Sequence, residues 1–271
     1  MSGETSTGRG EERAPHIEVR GLGLGFGRHL ILRDLAFSVG RGEVFVIMGG
    51  SGSGKSTLLR NMIGLREPAE GEVFYSGATF TRADRHDRAL LLRRFGVLYQ
   101  KGALWSSMTL AENICLVLGE YTELSPKDAR EVAAFKLALV GLAGFEDHMP
   151  SEISGGMQKR AGIARAMALD PEILFLDEPS AGLDPLTARR LDELILSLRA
   201  NLATTFVVVT HDLESLLTIG DNSVFLDGET KGILARGQPR ELLLNCVEPK
   251  VQAFLRRGKP VTAERGSEVP R

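Results

Sequence analysis

This chain of 271 residues has few cysteines, one tryptophan and a small net charge. The low number of cysteines argues against a disulfide-stabilised protein, and the small net charge argues against a nucleic-acid-binding protein. The two cysteines, Cys115 and Cys246, supply neither a disulfide framework nor the spacing of a metal site, and reduced thiols are the simple interpretation. The formal net charge of −2 argues against a broadly basic surface, so we expect no nucleic acid partner.

Long hydrophobic runs are also missing from the sequence. No apolar stretch approaches the ~18 residues that a membrane-spanning helix needs. Residues 1–14 are polar and have no apolar signal-peptide core, so we expect a disordered lead there. Hydrophobic residues still make up 43% of the chain, which is enough for a full core. These features fit a peripheral subunit rather than a membrane-spanning one.

A glycine-rich loop follows an apolar run at residues 44–48, which predicts a buried strand, and precedes residues 57–63, which predict a helix. The loop fits the pattern G-x-x-x-x-G-K-[ST]. Glycines let the backbone direct its N–H groups at phosphate oxygens, and the helix N-terminus favours the same anion. The predicted nucleotide-binding residues are Gly49, Gly50, Ser51, Gly52, Ser53, Gly54, Lys55, Ser56 and Thr57. We expect Lys55 to reach the β- and γ-phosphates and Ser56 to ligate Mg²⁺.

Polar residues follow two further apolar runs. Residues 173–176 predict a buried strand that ends in Asp177 and Glu178, and residues 205–210 predict another that leads to His211. Parallel sheets place functional side chains at the carboxyl ends of such strands, beside the phosphate loop. Asp177 is suited to hold Mg²⁺ through water, Glu178 to orient the attacking water, and His211 to donate a hydrogen bond to the γ-phosphate. The other histidines lack this setting, and we expect surface positions for His16, His29, His86 and His148.

A second glycine segment, Ser154-Gly155-Gly156-Met157, precedes residues 158–169, which predict a helix ended by Asp170-Pro171. This segment, the phosphate loop, the strand-end residues above, Gln100 and the run 180–184 occur in one order. That order and spacing resemble the nucleotide-binding domains of ABC transporters, over about residues 17–240.

The resemblance implies an α/β fold of the P-loop NTPase class, with a mixed-sheet core, an antiparallel β-subdomain and an α-helical subdomain. Residues 17–40 alternate in the way expected of the β-subdomain, and about residues 101–159 have the helical pattern of the helical subdomain. We expect the ATPase domain to span residues 15–257 and a flexible tail to cover residues 258–271.

The resemblance also implies roles for residues outside the phosphate loop, with ATP and Mg²⁺ as cofactors. Gln100 would contact Mg²⁺ and the water, and Asp184 would lie at a dimer seam. Ser154, Gly155 and Gly156 would contact the γ-phosphate held by a second copy of the chain, in a head-to-tail homodimer with two equivalent sites. Phe26 would stack on adenine, and a core phenylalanine is the alternative for that position.

Two departures narrow the resemblance. Met157 replaces the glutamine that usually ends the second glycine segment, and Ile153 replaces the usual leucine before it. The Ser-Gly-Gly-Met form is similar to ATPases that energise lipid transport with MCE-type substrate proteins, the Mla (maintenance of lipid asymmetry) group among them. Residues 100–105, which end in the apolar residues Ala103, Leu104 and Trp105, are similar to the same group. This stretch predicts that Trp105 lies where a membrane subunit docks, and core packing is the alternative.

The narrower resemblance implies an ATPase at the cytoplasmic face of the inner membrane, with an integral permease and an MCE-domain substrate protein as partners. A small STAS-type regulatory subunit is a further candidate, and residues 251–255 resemble a tail that packs on a partner subunit. An ABC ATPase for another cargo, such as an amino acid or metabolite, is the main alternative. A non-transport ABC protein of the ribosome or DNA is disfavoured, because the chain has one cassette and no long coiled coil.

Overall fold

The structure is a computed structural model that describes residues 14–26, 29–100 and 102–256, and for Phe26 and His29 it describes the backbone alone. Nearly all of the predicted lead and the whole of the predicted tail lie outside these residues. The ten strands of the described ranges are β1 (Ile17–Phe26), β2 (His29–Val39), β3 (Val44–Gly49), β4 (Glu70–Tyr75), β5 (Ala78–Thr79), β6 (Phe95–Leu98), β7 (Ile173–Asp177), β8 (Thr205–Val209), β9 (Asn222–Asp227) and β10 (Gly232–Arg236).

Nine α-helices accompany the strands over the same described ranges. They are α1 (Lys55–Met62), α2 (Arg85–Leu92), α3 (Leu110–Tyr121), α4 (Pro126–Leu139), α5 (Gly155–Ala166), α6 (Pro185–Leu202), α7 (Leu213–Ile219), α8 (Pro239–Asn245) and α9 (Pro249–Arg256). Side chains cap several of these helices: Thr109 and Glu112 form a reciprocal capping box at α3, and Ser125 caps α4. The predicted helix at 57–63 begins two residues earlier, at Lys55.

The central sheet has six strands in the order β10-β9-β3-β8-β7-β6. The strands from β9 to β6 pair in parallel, whereas β10 pairs with β9 in the antiparallel sense, so the sheet is mixed as predicted. Every residue of β3, β7 and β8 is buried. Strands covered on both faces consist of continuous apolar runs, which explains why the sequence revealed them.

A smaller antiparallel sheet, in the order β2-β1-β4-β5, confirms the predicted β-subdomain. Its residues pack on one side of the central sheet, in a shared core that includes Leu22, Leu35, Phe45 and Tyr75. A separate core lies among α3, α4, α5 and α6 and includes Ile114, Leu137 and Ile163, among others. The two cores cover opposite faces of the central sheet. The parallel strands of the central sheet therefore lie between these two hydrophobic cores.

One expectation about the ends of the domain was wrong. His16 is buried rather than exposed: its Nδ1 lies 2.7 Å from Thr205 Oγ1 and its Nε2 lies 3.1 Å from Glu172 Oε2. These partners are distant in sequence, so no local pattern predicts the burial. The segment 251–255 lies in α9, with Val251 and Leu255 buried against the core around β9. Its contact with a partner subunit stays a prediction.

A buried Asp192–Ser215 pair joins α6 to α7. Both side chains are nearly inaccessible, and Ser215 Oγ donates a hydrogen bond to Asp192 Oδ1. Burial raises the pKa of the Asp192 carboxyl to about 6, and the charges of Asp212 and Glu214 act in the same direction. A raised pKa means that the stability contributed by this group is full below its ordinary value of 3.8 and is lost as the pH rises through about 6.

Asp192→Asn should therefore stabilise the protein at pH 7 to 8 by about 1–3 kcal/mol, since the amide still accepts from Ser215 but carries no buried charge. The gain should shrink as the pH falls from about 6 to about 4. Urea unfolding at a series of pH values measures it. Glu193→Gln, at an exposed carboxylate on the same helix, is the control and should change stability by less than about 0.5 kcal/mol. A pH-independent difference for Asp192→Asn would contradict this account.

Candidate functional site

The glycine-rich loop connects the end of β3 to the start of α1. Gly49 and Gly54 have positive φ values of 148° and 95°. A Cβ atom would lie 2.3 Å from Leu226 O at Gly49 and 2.6 Å from Leu32 Cδ1 at Gly54. Glycine is therefore required at both positions by conformation and by space. The loop joins the carboxyl end of β3 to the N-terminus of α1 within residues 50–54.

Lys55 lies within this loop. Its side chain is 9% exposed, and its Nζ donates hydrogen bonds to the carbonyl oxygens of Gly49 at 3.0 Å and Gly50 at 2.9 Å. The ammonium group stands at the N-terminus of α1, so a cation and a helix dipole act on the same space. Both favour an anion there, and phosphate is the anion that such loops hold.

Asp177 ends β7 beside this loop. It is 9% exposed, and burial raises the pKa of its carboxyl, with the charge of Glu178 adding to the effect and Arg60, Ser56 and Lys55 opposing it. Within the described residues, Asp177 Oδ1 is buried without a hydrogen-bond partner, and so is Ser53 Oγ. Buried oxygen atoms without partners are uncommon. A hard divalent cation fits the Asp177 oxygen, because Mg²⁺ is usually bound through one or two carboxylates together with phosphate and water.

Glu178 and His211 form a close pair next to Asp177. His211 Nδ1 lies 2.7 Å from Glu178 Oε2, and the glutamate side chain is 12% exposed. The parallel register of β7 and β8 produces this contact, since Asp177 lies opposite Val209 and both functional residues follow those strand ends. Glu178 has a positive φ of 51°, which is strained for a non-glycine residue. Its N–H donates to Val209 O at 2.8 Å, which helps to hold that conformation.

The second glycine segment begins α5 rather than preceding it. The helix starts at Gly155 and ends at Ala166, so the predicted bounds of 158–169 were wrong at both ends. Ser154 is the N-cap, and its Oγ accepts a hydrogen bond from Met157 N at 3.3 Å. A capping serine makes the glycines the first helical residues, which outweighs their low helix propensity. Ser154 and Gly155 are exposed, whereas Met157 packs against the helical core.

Asp184 caps the neighbouring helix α6. Its carboxylate accepts hydrogen bonds from Thr187 N at 3.1 Å and from Thr187 Oγ1 at 2.5 Å, which lower its pKa. Thr187 also lies against Gly156, where a Cβ would come within 2.4 Å of Thr187 Cγ2. The starts of α5 and α6 therefore meet at a cleft of about 590 Å³, which Ser154, Gly156 and Thr187 line.

Gln100 follows β6 on the other side of Asp177 and is exposed. Leu104 packs against the helical core, whereas the Trp105 side chain remains 55% exposed. Phe26 ends β1, but its predicted contact with adenine falls on a side chain outside the described part of the chain.

Sequence patterns missed two residues of this region. Asn113 is fully buried, and its Nδ2 donates to the carbonyls of Trp105, Met108 and Thr109, which fixes the segment before α3. Lys159 is 7% exposed on α5 and donates to the carbonyl oxygens of Gln100 and Glu178. Lys159 lies four residues before the buried Ile163, so helical periodicity was a signal for its burial.

The described helices include none that combines the length and the apolar character needed to cross a bilayer.

The site defines an ATPase of the P-loop class, because a phosphate loop, a carboxylate pair and a histidine lie at neighbouring strand ends. The family model described as ABC transporter matches residues 32–181, and this chain belongs to the ABC transporter ATP-binding family. It is therefore an ATP-binding and ATP-hydrolysing subunit coupled to transport.

Two curated relatives are similar over most of their length. The chain is 41% identical to the probable ribonucleotide transport ATP-binding protein mkl of Mycobacterium tuberculosis (strain ATCC 25618 / H37Rv), over 92% of this chain and 71% of the relative. It is 37% identical to the intermembrane phospholipid transport system ATP-binding protein MlaF of Escherichia coli (strain K12), over 88% of each chain.

Among solved structures, a dimeric ATP-binding cassette, MJ0796, in a post-hydrolysis state with ADP and Pi, is similar with a TM-score of 0.73 at 30% identity. The match covers 82% of this chain and 98% of the cassette.

Proposed function

We propose that this chain energises a permease that moves phospholipid together with an MCE-type substrate protein. The observation that carries the proposal is the similarity to MlaF over 88% of both chains. Met157 also supports the proposal. This apolar side chain, at a position where glutamine is usual, packs against the helical core through α5. The subunit would act at the cytoplasmic face of the inner membrane.

The site residues divide the chemistry of hydrolysis among them. Lys55 and the loop N–H groups would bind the β- and γ-phosphates. Ser56 and Asp177 would hold Mg²⁺, with Gln100 as a further ligand, and a bound Mg²⁺ would supply positive charge to the phosphoryl oxygens. Glu178 orients the attacking water, and His211 holds that carboxylate in place and reaches the γ-phosphate. The 2.7 Å contact between His211 and Glu178 supports this assignment.

Two copies of the chain complete the sites. Ser154 and Gly155 are exposed at the N-terminus of α5, where a helix dipole and a serine hydroxyl favour an anion. We assign that anion to the γ-phosphate held by the partner's loop, with Asp184 at the seam between the copies. The dimeric state of the similar cassette supports a head-to-tail pair.

A groove beside Gln100 supports docking of a permease. The groove has a volume of about 420 Å³ and lies among α2, β6, α3 and α5, with Leu92, Tyr99, Val117 and Tyr121 in its lining. Leu92, Tyr99 and Tyr121 are large apolar side chains that remain more than one-third exposed. An amphipathic helix of a membrane subunit fits such a groove. Trp105 lies on the segment that follows Gln100 and would extend the contact.

A second cargo class is favoured by one observation. The mycobacterial relative, which is more similar at 41% identity, is named for ribonucleotide transport. A ribonucleotide is a metabolite, and this name therefore supports the alternative of a small polar cargo. The ATPase chemistry is the same under both proposals, so the partners decide between them.

Trp105→Ala should weaken recovery of the permease at least about tenfold, since an exposed tryptophan at an interface contributes ~1.4 kcal/mol or more. Tagged protein is captured from its native membranes in mild detergent, and partners are identified by mass. Phe135→Ala is the matched control, because Phe135 is similarly exposed (59% against 55%) on α4.

The partners recovered with the wild-type chain decide between the two cargo classes. A permease with an MCE-domain protein supports the phospholipid proposal, and a STAS-type subunit would appear in the same sample. A permease with a soluble binding protein supports the alternative. Unchanged recovery of Trp105→Ala removes Trp105 from the interface.

A further inference from the structure

Lys159 is a buried cation whose hydrogen-bond partners, within the described part of the chain, are backbone carbonyls. It is 7% exposed, and among the described residues its Nζ donates to Gln100 O and, at 3.4 Å, to Glu178 O. Burial lowers the pKa of the Lys159 ammonium, while the charges of Asp177 and Glu178 oppose the shift. A buried charge without an ion pair is costly, and its retention calls for a reason.

The two carbonyls belong to the segments that hold the attacking water in the proposed function. Gln100 follows β6, and Glu178 has the strained φ of 51° at the end of β7. Glu178 O accepts from Ala181 N at 3.2 Å and from Lys159. One ammonium group therefore fixes the backbone of both residues at once.

The same helix touches the segment after Gln100 at two further positions. At Gly162 a Cβ would lie 2.9 Å from Gly102 O, so the backbones are in close contact. Arg165 donates to Ala103 O at 3.1 Å. Residues 159, 162 and 165 repeat every three positions and share one face of α5. Helix and segment are joined along this face and should move together.

The N-terminus of this helix is the part that meets the partner copy. Lys159 lies four residues after Gly155, which is about one turn or ~6 Å along the axis. A displacement of α5 caused by an anion at its N-terminus moves Lys159 with it, because a single helical turn is stiff.

We propose that Lys159 is a positioning residue that couples the contact of α5 with the partner's ATP to the placement of Gln100 and Glu178 in its own chain. The inference rests on the proposed function, which supplies the roles of those two residues. This coupling makes ATP hydrolysis at one site of the dimer depend on whether ATP occupies the other site. Lys159 touches neither substrate nor metal in this account.

The test compares Lys159→Met with Lys159→Arg in the full chain bound to its membrane partners. Lys159→Met removes the charge and the donors, and should lower kcat at least about tenfold while the Kd for Mg-ATP changes less than about threefold. The Hill coefficient for ATP should fall to 1. Lys159→Arg retains the cation and should restore kcat to within about threefold of the wild type.

A readout independent of turnover comes from Trp105, the single tryptophan of the chain. It lies five residues after Gln100, on the segment that α5 contacts. Mg-ATP should change its emission in the wild type and in Lys159→Arg, but not in ATP-saturated Lys159→Met. Lys136→Met is the structural control: Lys136 is also a buried lysine of the helical subdomain and pairs with Asp170. It should leave the Hill coefficient and the emission change intact.

Two results would overturn the proposal. One is Lys159→Met with wild-type kcat, Hill coefficient and emission change. The other is equal loss in Lys159→Met and Lys136→Met, in proportion to lowered Tm, which assigns Lys159 to stability alone. Lys159→Gln, too short to reach both carbonyls, replaces Lys159→Met should that variant not fold, with the same expectations. Wild-type turnover in Glu178→Gln would instead remove the water-orienting role that the proposed function gives to Glu178, so the two failures are distinguishable.

Discussion

Glu178→Gln should bind ATP normally and lose hydrolysis, with kcat lowered by roughly 100- to 1,000-fold, on the order of 3–4 kcal/mol of transition-state stabilisation. The amide has the size of the carboxylate and can still accept from His211, so the 2.7 Å contact survives. The amide lacks the negative charge with which, in the proposed function, Glu178 orients and polarises the attacking water. Phosphate release measures the loss, and size exclusion with Mg-ATP should show a trapped dimer.

The control for this prediction is an exposed carboxylate. Glu193→Gln makes the same chemical change on α6, where the side chain pairs with Arg189 at 3.6 Å and is 65% exposed. It should hydrolyse ATP at the wild-type rate. If Glu178→Gln also turned over at that rate, Glu178 would not be the residue that orients water, and Asp177 or His211 would have to carry that role.

The central sheet was predictable because its strands are buried on both faces. Continuous apolar runs followed by a glycine, a carboxylate or Thr210-His211 located β3, β7 and β8, and parallel pairing then brought their ends together. Asp177 ends β7 and Glu178 follows it directly, so the strand located both residues. Lys55 begins α1, and the G-x-x-x-x-G-K-[ST] pattern after β3 located it.

Side chains that bridge distant segments were not predictable from local spacing. Lys159 reaches a carbonyl 59 residues earlier in the chain, and His16 reaches Thr205 across 189 positions. No pattern within a single element encodes such pairs. The predicted start of α5 was wrong for a different reason. Glycine has a low helix propensity, but the Ser154 cap and the close approach of Thr187 favour a helix that includes residues 155 and 156.

The sequence also did not predict the positive φ of Glu178. Glutamate has no preference for this conformation, and only the bonds from its N–H to Val209 and from Lys159 and Ala181 to its carbonyl show what holds it. The sequence could assign the chemistry of the site to residue types. The structure adds how the chain keeps those residues in place.

Lys55→Ala should raise the Kd for Mg-ATP at least about 100-fold, about 3 kcal/mol, because it removes the cation of the loop and the two hydrogen bonds that shape it. Gly49 O and Gly50 O, now bonded to Nζ at 3.0 and 2.9 Å, would lose that donor. Calorimetric titration measures the affinity. Lys127→Ala, at a lysine that is 86% exposed on α4, is the control and should bind ATP like the wild type.

The two variants should act at successive steps, and their combination tests that order. Lys55→Ala blocks ATP binding and so prevents the nucleotide-dependent dimer, whereas Glu178→Gln accumulates it. Because binding must precede trapping, the double variant should resemble Lys55→Ala and remain unpaired in Mg-ATP on size exclusion. A double variant that still dimerised would mean that the Lys55 ammonium serves the loop carbonyls and contributes little to phosphate binding. The loop backbone and the dipole of α1 would then hold the nucleotide without it.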